Sequence, residues 1–274
     1  MDIARLNPLR RRRPRVPVIR LQGAIGAVRP TGGGLSDAAL APLLEHAFRR
    51  GRPAAVALVI NSPGGSPVQS SLIAARIRRL ADETAVPVLA FVEDIAASGG
   101  YWLASAADEI WADATSLIGS IGVISSGFGF AGLLERHGVE RRVHTAGASK
   151  SFMDPFRPEK PEDVARLHAL LRPLHAAFKT QVTARRGGKL TATQDLFTGD
   201  VWAGEEAVVL GLIDGIGHMV PVLKARFGDK LRMVPYQIRR PLLRRFGVGA
   251  MAAAAMDAGF DAAEERALWS RYGF

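Results

Sequence analysis

Apolar and polar positions alternate over Val16–Leu21 in the manner of a first strand. Ser36 stands where an N-cap belongs, ahead of a helix predicted to reach about Arg50, with Gly51 as its stop. Ala54–Ile60 is continuously apolar, which marks a strand covered on both faces, and Asn61-Ser62-Pro63-Gly64-Gly65-Ser66 closes it with a strong turn signal. A helix through about Leu80 follows. Pro87–Val92 repeats the buried-strand pattern, and Glu93–Gly100 leads into a short Ala-rich helix, so strand, glycine turn and helix occur twice in succession. Further strands are expected near Glu109–Ala112, Gly122–Ser125 and Arg141–Thr145, with a helix near Phe130–His137. Pro161 sits at the first position of a long helix that reaches Arg186 before Gly187-Gly188, with Pro173 as a kink. Gly199–Leu212 reads as a turn and a short helix, and Leu231–Tyr236 as a last strand. This alternation predicts an α/β protein with a largely parallel sheet in a single domain, since no linker or repeat divides it.

Composition narrows the chemistry. The 274 residues are 48% hydrophobic and 23% charged, with 29 Gly and 16 Pro, which is the balance of a folded globular protein and not of a disordered or collagen-like one. The absence of Cys excludes disulfides, thiolate metal sites, iron–sulfur clusters and a cysteine nucleophile. None of the six His stands in an HExxH or similar spacing, so neither a metal nor any other cofactor is expected.

The formal net charge of +10 is concentrated at the ends. Seven Arg in residues 1–20 face a single Asp, and eight Lys or Arg in residues 224–245 face only Asp229, which leaves the body slightly acidic. A nucleic-acid partner is therefore not expected, and the basic runs read as solvated surface or as a peripheral contact with an anionic membrane. Arg10–Arg13 lead into Pro14 and Pro17 and not into an apolar stretch, so no signal peptide is expected. No apolar run approaches the roughly 18 residues of a membrane span, and a cytoplasmic location is the expectation. The apolar run Gly249–Met256 and the weakly amphipathic stretch to Phe274 are suited to a bilayer surface or a partner subunit.

Ser98 occupies the most suggestive position. Ala96-Ala97-Ser98-Gly99-Gly100 follows a buried strand and opens a helix, so a hydroxyl would be presented among small neighbours that leave room for a substrate. The backbone N–H of Gly99 would point with the helix dipole towards a developing oxyanion, and the turn at Gly64-Gly65 could supply a second donor. Each turn, taken singly, also reads as an ordinary strand-to-helix connection with Ser as N-cap. A Ser nucleophile needs a base. Of 36 cationic residues only six are Lys, and Arg does not deprotonate usefully, whereas a lysine that loses its hydration can act as a neutral base. Lys150, in Gly147-Ala148-Ser149-Lys150-Ser151, is the candidate, because Lys160 and Lys179 lie beside or within a charged helix.

Together these residues resemble the signal peptide peptidase A (SppA) family of Ser-Lys serine peptidases, in the ClpP and crotonase fold group of repeated ββα units. The resemblance runs in order through Asn61–Gly65, Asp94–Tyr101, Ile118–Val123, Gly147–Lys150, Ala184–Gly187, and Phe197–Gly199 to Leu212–Asp214. It implies Ser98 as nucleophile, Lys150 as general base, Ser120 as the hydroxyl that orients the Lys150 amine, and Gly65 and Gly99 as oxyanion donors. It also implies acyl transfer on apolar, extended peptides, either signal-peptide remnants or unfolded cytosolic peptides, and a ring-shaped homo-oligomer whose dyad is shared between subunits. The expected organisation is a basic arm over residues 1–15, a peptidase domain over 16–236, and a basic then amphipathic segment over 237–274. Two alternatives use the same fold: a crotonase-like acyl-CoA enzyme, which would not need Ser98 and Lys150 together, and a catalytically silent scaffold.

Overall fold

A computed structural model of the protein describes residues 13–26, 35–147, 149–191, 193–237 and 266–273. Its elements follow in the order β1 (Arg15–Gln22), α1 (Asp37–Arg49), β2 (Val56–Ser62), α2 (Pro67–Thr84), β3 (Val88–Ala97), α3 (Gly99–Ser105), β4 (Glu109–Ala112), β5 (Leu117–Gly119), α4 (Ala131–Arg136), α5 (Pro161–Arg186), β6 (Val201–Ala203), α6 (Gly204–Val209), β7 (Gly215–Ile216), α7 (Met219–Phe227) and β8 (Arg232–Tyr236). The sheet order is β6-β5-β3-β2-β1-β8, with β4 and β7 branching from β3. All pairings are parallel except β5 with β6. The largely parallel α/β expectation therefore holds.

All seven residues of β2 are buried, as its unbroken apolar run requires of a central strand with both faces covered. One face packs against α1, α2, α3 and the end of α5 through Leu40, Leu44, Ile73, Ile77, Leu103 and Phe178. Val16, Ala57, Leu89 and Phe91 meet Leu223 of α7 on the other. Helix starts obey their local chemistry: Ser36 accepts from the Ala39 N–H at 3.3 Å, and Ser66 caps α2 ahead of Pro67.

β3 is long enough to serve two neighbours, pairing with β4 through Leu89–Val92 and with β5 through Ile95–Ala97. This fork carries its C-terminal end, and the turn after it, out beyond β4. The far side is latched by Arg186, which is buried at the end of α5. Its guanidinium donates twice to the Gly211 carbonyl, at 3.1 and 2.8 Å, and to Asp214 at 2.7 Å, while Asp214 also accepts from the Ile110 N–H. Burial alone would raise the Asp214 carboxyl; hydrogen bonds from Lys189, Arg186 and Ile110 outweigh it and hold the group below the usual carboxylate range.

Two expected strands do not form. At Gly122–Ser125 the chain has already left the sheet, because Gly119 and Ser120 both adopt positive φ, at 117° and 50°, and the edge beside β5 is taken by β6. Arg141–Thr145 is irregular and largely exposed, without a strand beside it among the described residues. The short strands β5, β6 and β7 and the helix α7 are not among the expected elements. Most of the basic arm and the apolar run Gly249–Met256 lie outside the described residues.

Candidate active site

Ser98 joins β3 to α3 with φ 52° and ψ −121°, a conformation that costs a non-glycine residue about 1–3 kcal/mol. Its backbone is tied on both sides: the Ser98 N–H donates to the Gly119 carbonyl at 2.8 Å, and the Ser98 carbonyl accepts from Trp102 at 3.0 Å. The side chain makes no capping bond to α3, unlike those of Ser36 and Ser66 on their helices. The N-cap alternative therefore fails for Ser98, and the strained turn lifts its half-buried hydroxyl into a cleft.

The glycines around it are required by space. A Cβ on Gly99 would stand 2.4 Å from Ser70 Oγ, and one on Gly100 would stand 2.4 Å from the Ser62 carbonyl. Gly64, at φ 104°, leaves no room for a Cβ, which would lie 2.8 Å from that of Ser98. The second glycine turn is thus packed directly against the first. Gly65 bridges to Ile25: the Gly64 carbonyl accepts from the Ile25 N–H, and the Ser66 N–H donates to the Ile25 carbonyl, both at 2.8 Å. Because N–H directions alternate along an extended chain, the Gly65 N–H points away from Ile25, and Gly65 itself lines the cleft.

Ser120 sits one residue beyond the carbonyl that holds Ser98. It is 7% exposed, and its N–H donates to the Asp200 carbonyl at 2.6 Å. Its Oγ accepts from the Tyr272 hydroxyl at 3.1 Å. Lys150 is placed differently. It is exposed in the turn over 149–153 and does not line the cleft of Ser98. Within one chain, then, Ser98, Gly65 and Gly99 share a cleft with Ser120 close by, and Lys150 is not brought to them.

That cleft encloses about 390 Å³ between Pro63, Pro67, Trp102, Val123, Ile124 and Phe178, with Ala267, Leu268 and Arg271 over it. Trp102 and Phe178 stack with ring centroids 4.7 Å apart and make an apolar wall. Sequence reasoning missed this wall, although an aromatic two residues past Gly100 was visible; Phe178 joins it only through the path of α5. Among the described residues there is no group of three or more His, Asp or Glu placed to hold a metal ion.

Residues 81–226 match the family model described as peptidase family S49. A protein of Brucella melitensis named as a Na(+)/H(+) antiporter NhaA is 50% identical over 273 residues, covering 94% of this chain and 37% of that protein. The chloroplastic serine protease SPPA of Arabidopsis thaliana is 31% identical over 212 residues, 76% of this chain and 31% of that one. The chain thus spans about a third of the length of these curated relatives. Among solved structures, a mutant form of the 1510-N membrane-bound stomatin-specific protease is similar with a TM-score of 0.51 at 15% identity, over 82% of this chain and 98% of its own. That likeness concerns the fold alone.

Proposed function

This chain belongs to peptidase family S49, and from that premise we propose that residues 16–236 form a serine endopeptidase domain working through Ser98 and Lys150. The observation that carries the proposal is the conformation of Ser98: a non-glycine residue held at φ 52°, its hydroxyl free of capping duty, against two glycine turns. In this reading Ser98 Oγ adds to a peptide carbonyl, and its proton passes through the Lys150 amine to the leaving amine. The oxyanion is held by the Gly99 and Gly65 N–H groups, and water then hydrolyses the acyl ester. Ser120 orients the Lys150 amine. The substrates are apolar, extended peptides, consistent with the wall of Trp102, Phe178, Val123 and Ile124.

Lys150 reaches Ser98 in this proposal from a second copy of the chain, in a ring-shaped homo-oligomer. From Val123 to Ala177 not one described residue is buried, although Ile124, Phe128, Leu133, Val139 and Leu170 are all at least half exposed. An apolar surface of that kind is suited to a neighbouring subunit. We further place the protein in the cytoplasm, peripheral to the inner face of the membrane. The basic runs of residues 1–20 and 224–245 and the name of the Brucella relative support this. No helix among the described residues is long and apolar enough to cross a membrane.

A fluorophosphonate probe with mass-spectrometric mapping tests the assignment. The expected result is one adduct, on Ser98, absent from Ser98→Ala. A protein that takes no adduct there but binds coenzyme A in a calorimeter would instead be the acyl-CoA enzyme.

A further inference from the structure

We propose that residues 266–273 are a built-in competitive inhibitor of the Ser98 cleft; the proposal rests on the peptidase reading of that cleft. Ala267, Leu268 and Arg271 line the same space as Ser98, Gly65 and Gly99, so the end of the chain lies where a substrate would bind. Leu268 is half-buried there beside the apolar residues that would receive a substrate side chain. The second contact is chemical. The Tyr272 hydroxyl donates to Ser120 Oγ, the group assigned to orient the Lys150 amine. A serine hydroxyl has one proton and two lone pairs, so the tail takes one lone pair and the volume beside it. A docked tail therefore covers the nucleophile and also engages the partner of the base.

The tail's own conformation separates an inhibitor from a substrate. Residues 266–270 are helical and 271–273 form a turn. The Trp269 carbonyl accepts from the Tyr272 N–H at 3.0 Å, and the Ser270 carbonyl accepts from the Gly273 N–H at 3.3 Å. Ser270 Oγ further donates to the Ala267 carbonyl at 3.1 Å. These carbonyls are engaged in local hydrogen bonds, and a helical and turned backbone is not the extended strand that a peptidase attacks. The segment fills the site without offering it a bond to cut.

The full-length chain carrying Leu268→Asp tests this, because a carboxylate against the apolar wall expels the tail without touching Ser98, Ser120 or Lys150. If the tail is docked nine-tenths of the time, both fluorophosphonate labelling of Ser98 and hydrolysis of an apolar fluorogenic peptide below KM rise about tenfold. Tyr272→Phe, which removes only the bond to Ser120, gives a rise of about two- to fivefold. A synthetic peptide of residues 266–274 added to Leu268→Asp restores the low rate competitively. Unchanged labelling and hydrolysis in both variants, with no inhibition by the peptide, overturns the proposal while leaving the peptidase reading intact. Binding of the fluorescent peptide to Leu268→Asp, measured by polarisation, needs no catalysis. If the peptide binds there but no form labels at Ser98 or hydrolyses peptide, the peptidase reading fails and the docked tail survives.

Discussion

Residues 15–122 and the stretch 123–177 differ in where their apolar side chains go. The first builds β1 to β5 around a core in which Ile19, Leu58, Ile60, Ile77 and Tyr101 are fully buried; the second carries Ile124, Phe128, Leu133 and Val139 at its surface and buries no apolar residue among those described. The candidate nucleophile and both glycines proposed as oxyanion donors lie in the first region, and Lys150 lies in the second. Support follows the same division: the φ of Ser98 is maintained by a hydrogen bond to β5 and by glycine backbones packed against it, whereas Lys150 is held by a turn bond from its own N–H to Gly147 at 3.2 Å. One half of the proposed dyad is positioned by its own chain, and the other stands exposed among the described residues.

The largest effect should come from cutting the dyad on either side of that division. Ser98→Ala and Lys150→Ala are each expected to lower kcat/KM by about 10⁴-fold or more, because a nucleophile and its base act as one unit. Lys150→Ala should leave the thermal midpoint unchanged, since the side chain is exposed. Mixing the two inactive proteins under conditions of proven subunit exchange should restore part of the activity. Exchange without recovery would place both halves of the dyad in one chain and remove the contrast.

Packing should respond as unequally as catalysis. Arg186→Met removes the buried cation of the latch, leaving the Gly211 carbonyl without its two donors and Asp214 with Lys189 and the Ile110 N–H alone, and should cost about 3–5 kcal/mol in denaturant unfolding. Arg142→Met, which loses an exposed pair with Glu140, should not move the midpoint. At a smaller scale, Gly99→Ala forces a methyl to within 2.4 Å of Ser70 Oγ and should cost about 1–3 kcal/mol along with activity. Gly129→Ala, with nothing within 4 Å of the added carbon, should be neutral or slightly stabilising.

The smallest effect expected is on acid stability. Asp214 is held below its unfolded value, so the unfolded chain binds its proton first; the contribution is full above the unfolded carboxylate pKa of about 3.9 and is lost as pH falls through the folded one. An Arg186→Met protein should show a shallower loss of stability on acidification than the wild type. Equal slopes would mean that the latch does not govern the carboxyl.

Much of this division was legible in the chain itself. The unbroken apolar run before Asn61-Ser62-Pro63-Gly64-Gly65 favours a strand covered on both faces, and Ala96-Ala97-Ser98-Gly99-Gly100 marks a tight turn carrying a hydroxyl, because glycine and small residues at a strand end carry local information. The scarcity of lysine and its turn singled out Lys150, and family resemblance through six short segments added Ser120; no local rule assigns the two to a common site. The tertiary structure decided what local pattern cannot carry. Gly122–Ser125 has strand-forming residues, yet the edge it would occupy is filled by β6 from some eighty residues later in the chain. Ser98 could have been an N-cap, and only its backbone angles, imposed by the Gly119 carbonyl and the neighbouring glycines, free its hydroxyl. The apolar wall needed α5 to bring Phe178 against Trp102, and the occupied cleft needed the far end of the chain to return to Ser120. Periodicity records which face of an element is buried, whereas these contacts depend on which distant element arrives to bury it.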